Sequence, residues 1–249
     1  MNAHTKPVNP VVASLLRQAA EWRLIGLLLE CPREGWHAEV AALASEAADD
    51  RLRAAVEAAQ LEANEGLYQS YFGPGGPGPA REVSCHDSLQ LGYLMSELEC
   101  YYDAFAYHPS AQLPVDHVAV EAGFVGYLRL KEAYLLDCDS VESAAVSREA
   151  SQRFLQDHLS AIAQPLAKAL EESGVRYLVL AAQALLHRTG PPRSLPVVSS
   201  QSEASPHEGE CLVDCGEGRE VCLRAEAVAL PPRIKILVLS LTRLAQSAS

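Results

Sequence analysis

Apolar residues recur at steps of three and four through most of the first 190 positions, and this periodicity limits the fold more than any other feature. Residues 10–31 show it clearly, with Asn9 placed to cap a helix and Pro10 suited to its first turn. The same spacing predicts helices over residues 36–47, 50–72, 84–107, 118–136, 154–170 and 175–187. No segment of this part alternates as a half-buried strand does. We therefore predict an all-α, single-domain bundle of about seven to eight helices.

Two details of these helices follow from their composition. Residues 175–187 are apolar almost all round, so we expect this helix at the centre of the bundle. Pro165 lies inside the helix predicted over residues 154–170 and is expected to kink it, because proline lacks the backbone donor and its ring clashes with the preceding turn.

The chain changes character after residue 190. Residues 193–209 are rich in Ser, Pro and Glu without periodicity, which predicts a mobile linker. Two short segments flank a Gly-Glu-Gly turn within residues 210–224 and favour a β-hairpin, and residues 234–244 form an apolar helix expected to pack on the bundle. We therefore predict a helical domain over residues 1–190 and a C-terminal extension over residues 191–249.

The charge balance narrows the class of partner. Twenty Lys and Arg residues stand against 32 Asp and Glu, giving a formal net charge of −12, which repels phosphate backbones and argues against nucleic acid. The same field attracts a basic peptide. No apolar stretch reaches the length of a membrane span and the N-terminus has no secretory pattern, so we expect a cytoplasmic protein without stable membrane insertion.

Residues 73–79 form a loop made only of glycine and proline that ends one helix before the next begins. Three of its seven residues are prolines, which offer no amide donor, and the chain lacks a phosphate-binding lysine motif. Nucleotide binding therefore gains no support. Two interpretations of the loop remain: a rigid turn between helices, or a segment that contacts a ligand.

The adjacent pair Asp116 and His117 is the strongest candidate for chemistry. Neighbours on a helix diverge by about 100°, so the pair is unsuited to a hydrolase relay, and the chain has no nucleophile elbow. His117, Glu121, Phe124 and Leu128 instead follow at steps of four, three and four and share one helix face. That face suits a peptide that is cationic at one end and apolar beyond it. The alternative is that His117 caps or braces the loop while Phe124 and Leu128 belong to the core.

Seven cysteines are present, and three of them, Cys211, Cys215 and Cys222, form a cluster. Their spacing matches no standard zinc or Fe–S pattern, so surface or hairpin thiols are one interpretation and a metal or Fe–S site is the other. We predict no catalytic residue and no cofactor.

Several motifs together resemble one family. Tyr68-x-x-Tyr71-Phe72-Gly73-Pro74, Ser84-Cys85-His86, Pro114-x-Asp116-His117 with Glu121, Phe124 and Leu128 behind it, and Phe154-Leu-x-x-His158-Leu159 occur in order over residues 11–188. This set resembles the TorD/DmsD/NarJ redox-enzyme maturation chaperones. The chain departs from the family's pattern in Arg81-Glu82-Val83, where many relatives have an aromatic and a small residue, and in its long tail.

The resemblance implies an all-helical protein that is not an enzyme. Such a protein binds the N-terminal, often twin-arginine, leader of the catalytic subunit of a molybdopterin oxidoreductase until cofactor insertion and folding are complete. The residues implied for peptide binding are Asp116, His117, Glu121 and Phe124, with Tyr71, Phe72, Gly73 and Pro74 on the rim. An acidic Asp116 suits a leader arginine, because a carboxylate matches the planar guanidinium.

Three points stay open at this stage. A NarJ-type chaperone would bind a non-exported client whose leader lacks paired arginines. A metal-binding protein would instead use the C-terminal cysteines. The chaperone is expected either as a monomer or as a dimer formed by exchange of helices.

Overall fold

Nine α-helices follow one another along the parts of the chain that the computed structural model describes, residues 9–86, 91–109 and 112–190. They are α1 (Pro10–Leu28), α2 (Trp36–Ala44), α3 (Asp50–Glu62), α4 (Glu65–Phe72), α5 (Leu91–Ala104), α6 (Val118–Asp137), α7 (Val141–Phe154), α8 (Ser160–Glu171) and α9 (Arg176–Thr189). A π-helical turn, Leu155–Leu159, links α7 to α8. These described ranges hold no strand, which confirms the predicted all-α bundle.

The first helix starts where the sequence predicts. The Asn9 side chain accepts a hydrogen bond of 2.9 Å from the Val11 N–H, and Pro10 takes the first helical position, where its missing donor costs nothing. From Ala19 to Leu28 every side chain is buried. This half of α1 packs against α6, and the two backbones approach closely at Gly26 of α1 and Gly126 of α6.

The central helix is α6, not the one predicted over residues 175–187. Every residue from Val118 to Gly126 is buried, including Glu121. In α9, by contrast, Arg176, Gln183 and His187 are exposed along one side. The sequence pattern favoured α9 because Glu121 counts as a polar position in α6, whereas the structure buries that carboxyl.

Two predicted helices are divided in the structure. The helix predicted over residues 50–72 ends at Glu62, because Ala63 is extended, and the Asn64 side chain starts α4 by accepting from the Leu67 N–H at 2.9 Å. The helix predicted over residues 84–107 does not begin at residue 84, because His86 is extended. A 3₁₀ turn covers Glu82–Cys85, and α5 is described from Leu91.

The long helix predicted from residue 154 extends further back, to the start of α7 at Val141. Acidic residues at positions 137 and 139 mark the preceding break, where Asp139 adopts a φ of 58°. Pro165 lies inside α8, six residues after the π-helical turn ends at Leu159. The π-helical turn is an irregularity that the sequence analysis did not predict, and the kink expected at Pro165 stays a prediction.

The predicted linker, hairpin and final helix all fall within residues 191–249, which lie outside the described residues. The predicted division of the chain at residue 190 therefore stays a prediction. None of the described helices combines the length and the apolar character needed to cross a membrane.

We expect the close approach of α1 and α6 to make Gly26→Ala destabilising. A Cβ at Gly26 would lie 2.9 Å from the backbone oxygen of Ala119, and a backbone atom in a central helix cannot swing aside. Overpacking of this kind costs about 1–3 kcal/mol and outweighs the gain of up to about 1 kcal/mol in helix propensity. Urea denaturation measures the difference in free energy of unfolding.

The matched control is Gly92→Ala in α5, where a Cβ would meet nothing within 4 Å. That variant should be unchanged or slightly more stable, because only the propensity term remains. Equal effects of the two substitutions would show that α1 and α6 are not in contact through Gly26.

Candidate functional site

His117 ends the connector before α6 and caps that helix. Its Nδ1 accepts a hydrogen bond of 3.1 Å from the Ala119 N–H, as an N-cap side chain does, and the residue itself is extended. The preceding turn closes through the His117 N–H, which donates to the Pro114 carbonyl at 3.0 Å. The histidine is therefore held by both its backbone and its ring.

The second ring nitrogen of His117 joins α6 to α4. Its Nε2 lies 3.2 Å from the Tyr68 hydroxyl oxygen. Because Nδ1 accepts from Ala119, the neutral ring carries its proton on Nε2, which therefore donates to Tyr68. Burial lowers the pKa of His117 to about 4; the negative Asp116 opposes this effect and the Arg81 guanidinium adds to it. The imidazole is accordingly neutral at pH 7.

Asp116 is fully buried and holds a guanidinium. The Nε of Arg81 lies 2.9 and 3.1 Å from the two carboxylate oxygens, and its Nη2 lies 2.8 Å from Oδ1. The Val83 N–H donates to Oδ2 at 3.3 Å. Both oxygens of the carboxylate are thus engaged by the segment that follows the Gly/Pro loop.

The backbone fixes that segment beside His117. Arg81 and His117 form an isolated antiparallel bridge, in which the Glu82 N–H donates to the Asp116 carbonyl at 2.9 Å and the Val118 N–H donates to the Ala80 carbonyl at 2.8 Å. Asp116 and Val118, the residues on either side of His117, are therefore bonded to residues 80–82. From the sequence, Arg81 and Glu82 were notable only as a departure from a family pattern.

The expected open face along α6 is wrong. Glu121, Phe124 and Leu128 are fully buried, and Asp116 and His117 are buried in the turn before them. Phe124 packs among the rings of Tyr101, Tyr102, Phe105, Tyr107 and Phe154 at centroid distances of 4.8–6.4 Å. Helical spacing establishes that these residues share a face, but not whether solvent or another helix covers it. The alternative interpretation, a capping His117 above core residues, describes their placement.

Glu82 is the centre of a second buried group that the sequence analysis missed. Its Oε1 lies 2.9 Å from Nε2 of the half-exposed His86, and its Oε2 lies 3.2 Å from Nδ1 of the buried His158. The π-helical turn carries His158, and such turns recur at functional sites. Burial, and then the neighbouring Glu82 and Asp116, raise the pKa of Glu121 well above its ordinary value, which favours its neutral form.

The predicted rim does reach the surface. Tyr71, Phe72 and Gly73 are partly exposed and Pro74 is exposed. Phe72 packs on the Tyr68 ring at 5.0 Å, and the Tyr71 hydroxyl donates to the Ser173 carbonyl at 3.0 Å. Since Tyr68 also meets His117, the rim and the Asp-His pair belong to one region. Its loop turns at Gly75, whose φ of 83° favours glycine.

Among the described residues, no three His, Cys, Asp or Glu side chains are arranged to hold a metal ion. The proposed ligands Cys211, Cys215 and Cys222 lie outside these residues. What the site offers is a buried carboxylate bonded to a guanidinium, a neutral histidine with both nitrogens engaged, and a partly exposed aromatic and proline rim.

In comparisons with known proteins, no family model, no curated protein and no solved structure matches the chain.

Proposed function

We propose that this protein is a cytoplasmic maturation chaperone that binds the arginine-bearing N-terminal leader of the catalytic subunit of a molybdopterin oxidoreductase. The leader is bound until the client has received its cofactor, and no chemical turnover takes place. The proposal comes from the ordered motifs of residues 11–188, and the all-α bundle is of the class that the resemblance implies.

The observation that carries the proposal is the chemistry of Asp116. The Asp116 side chain is 0% exposed, yet its carboxylate forms an ion pair with the guanidinium of Arg81, whose side chain is 44% exposed. A planar fork of donors is therefore accommodated between solvent and the buried acid, which is the recognition that a leader arginine requires.

The rim supplies the apolar half of the proposed contact. Tyr71 and Phe72 are partly exposed beside the Gly/Pro loop, and Phe72 rests on Tyr68, which bonds to His117. An apolar segment that follows the leader arginine can lie on these rings while the arginine reaches Asp116.

The engagement of His117 supports binding rather than catalysis. Its Nδ1 accepts from Ala119 and its Nε2 donates to Tyr68, so neither nitrogen is available to take a proton from a substrate. In this proposal His117 fixes the position of Asp116 and α4 and does not react.

The test is a binding titration with a fluorescent synthetic peptide that carries one Arg-Arg pair followed by an uncharged Ala/Leu segment. Wild-type protein should bind it saturably, and Asp116→Asn should weaken binding about tenfold or more, because bonds to charged groups contribute about 1.5–3 kcal/mol. Asparagine keeps an acceptor for the Val83 N–H, so the loop stays supported.

The matched control is Asp137→Asn at the far end of α6, about 30 Å away for a helix of 20 residues. Both variants lose one negative charge, but only Asp116 lies at the proposed site. Equal weakening by the two would mean that net charge alone attracts the peptide. Unchanged affinity in Asp116→Asn, with the protein folded by circular dichroism, would exclude the proposed site.

A second peptide in which Arg-Arg is replaced by Lys-Lys separates the two classes of chaperone. Weaker binding is expected because lysine lacks the bidentate fork. Equal affinity for both peptides would favour a NarJ-type chaperone whose client has no paired arginines.

The affinity for the Arg-Arg peptide should also fall as the salt concentration rises, since screening of charges acts over about 10 Å at 0.1 M.

A further inference from the structure

The side chain of Arg81 covers the carboxylate of Asp116 on its solvent side. The Arg81 side chain is 44% exposed, whereas the Asp116 side chain is fully buried beneath it. Three contacts of 2.8–3.1 Å join the guanidinium to the two carboxylate oxygens. Of the contacts described above, Arg81 thus provides all that the Asp116 carboxylate receives except the 3.3 Å hydrogen bond from the Val83 N–H.

The Arg81 side chain takes no part in the backbone bonds that hold its own segment. Its segment is fixed by backbone bonds, from Glu82 to the Asp116 carbonyl and from Val118 to the Ala80 carbonyl, and neither bond involves the Arg81 side chain. Arginine side chains have several rotatable bonds, and outward rotation of Arg81 would break its three contacts with Asp116 but neither of these backbone bonds. If the Arg81 side chain rotated outward, the Asp116 carboxylate would become accessible from the surface while the backbone bridge between Arg81 and His117 stays intact.

We propose that Arg81 is an internal competitor that occupies the guanidinium position of the site, and that an arginine of the bound partner displaces it. This inference rests on the proposed function and adds its regulation. Binding then exchanges one guanidinium for another at Asp116, so competition from Arg81 offsets part of the affinity that the ion pair contributes. Contacts of the partner with the aromatic rim decide whether the exchange goes forward.

The consequence is weak, reversible capture. Because Arg81 remains tethered beside the acid, it competes at a high effective concentration and returns when the partner's segment withdraws. A partner without an arginine gains nothing from the site, since it must leave Asp116 unpaired or leave Arg81 in place.

The test is the same titration with the Arg-Arg peptide on Arg81→Gln. Glutamine has a polar side chain but lacks the positive charge and the paired N–H donors of a guanidinium, so it cannot compete for Asp116. The peptide should therefore bind Arg81→Gln about tenfold more tightly than wild type. Arg81→Lys keeps the charge but not the bidentate geometry and should give a smaller gain of about two- to threefold. This second variant also serves if the glutamine variant fails to fold.

Two controls assign the effect to Asp116. Arg33→Gln removes an equal charge from a side chain of similar exposure, 41%, which is paired with Glu39 at 2.9 Å, and should change affinity less than twofold. In the Asp116→Asn background, Arg81→Gln should likewise have little effect, because the two residues act as one pair.

The outcomes separate this inference from the proposed function. If wild-type protein binds the peptide and Arg81→Gln binds no more tightly, Arg81 is not a competitor and the inference is wrong, while leader binding stands. If neither protein binds, leader binding itself is refuted and the inference falls with it.

Discussion

Phe124→Ala is expected to lower the free energy of unfolding by about 3–5 kcal/mol, among the largest losses that a single substitution causes in a protein of this size. Phe124 is fully buried at the centre of the bundle, and five aromatic rings pack around it. Alanine would remove those contacts and leave a cavity that rings anchored on three other segments cannot collapse to fill.

Urea denaturation followed by circular dichroism measures this loss. Tyr93→Ala is the control, since Tyr93 lies on α5 with 70% of its surface exposed and should change stability by no more than about 0.5 kcal/mol. If Phe124→Ala does not fold, Phe124→Leu should still be destabilised by about 1–2 kcal/mol. A loss under about 1 kcal/mol in the alanine variant would contradict a core centred on this residue.

The second large effect is a pH dependence of stability that originates at His117. Burial lowers the pKa of the folded-state imidazole to about 4, against an ordinary value of 6.5. Between these two values the unfolded chain binds a proton at His117 that the folded protein does not, so stability rises with pH. The contribution is complete above pH 6.5, is lost as pH falls towards 4, and amounts to about 3 kcal/mol in total.

The comparison of wild type with His117→Asn isolates this contribution. Asparagine is also a good N-cap, so it can still accept from the Ala119 N–H but does not titrate. The stability advantage of wild type over the variant should shrink by about 2 kcal/mol between pH 7 and pH 5. Glu121 acts in the opposite direction, because its raised pKa favours the folded state at low pH, but it is present in both proteins and cancels in the difference.

Stability curves of wild type and His117→Asn that stay parallel over this pH range would mean that burial does not disfavour the protonated imidazole.

Much of the fold is predictable from local sequence, and the reasons are specific. Asn9 and Pro10 start α1 as expected, because a capping amide and a proline at the first position act through their immediate neighbours. Prediction fails where the decisive contact is distant. The boundary at Asn64 needs a cap that apolar periodicity does not register, and the burial of Glu121 depends on packing with other segments.

The candidate site was predicted in part for the same reason. The motif residues Asp116 and His117 were selected from sequence, and the structure brings them near the rim of Tyr71 to Pro74 through Tyr68. The partner of Asp116 was missed, because Arg81 lies 35 positions earlier and no spacing rule connects the two. Glu82 and His158, 76 positions apart, were missed likewise. The signal available for Arg81 and Glu82 was that two charged residues follow the Gly/Pro loop after a single alanine.

The shortness of α4 has a consequence for how the site can change shape. This helix has eight residues, and Tyr68 is its one buried side chain, whereas α6 is buried along its whole first half. Segments with few buried contacts open locally at a much smaller free-energy cost than the whole molecule unfolds. The aromatic rim is thus held to the bundle by the Tyr68–His117 contact and by the bond from the Tyr71 hydroxyl to the Ser173 carbonyl. We therefore expect α4 to open locally while the bundle around α6 stays folded.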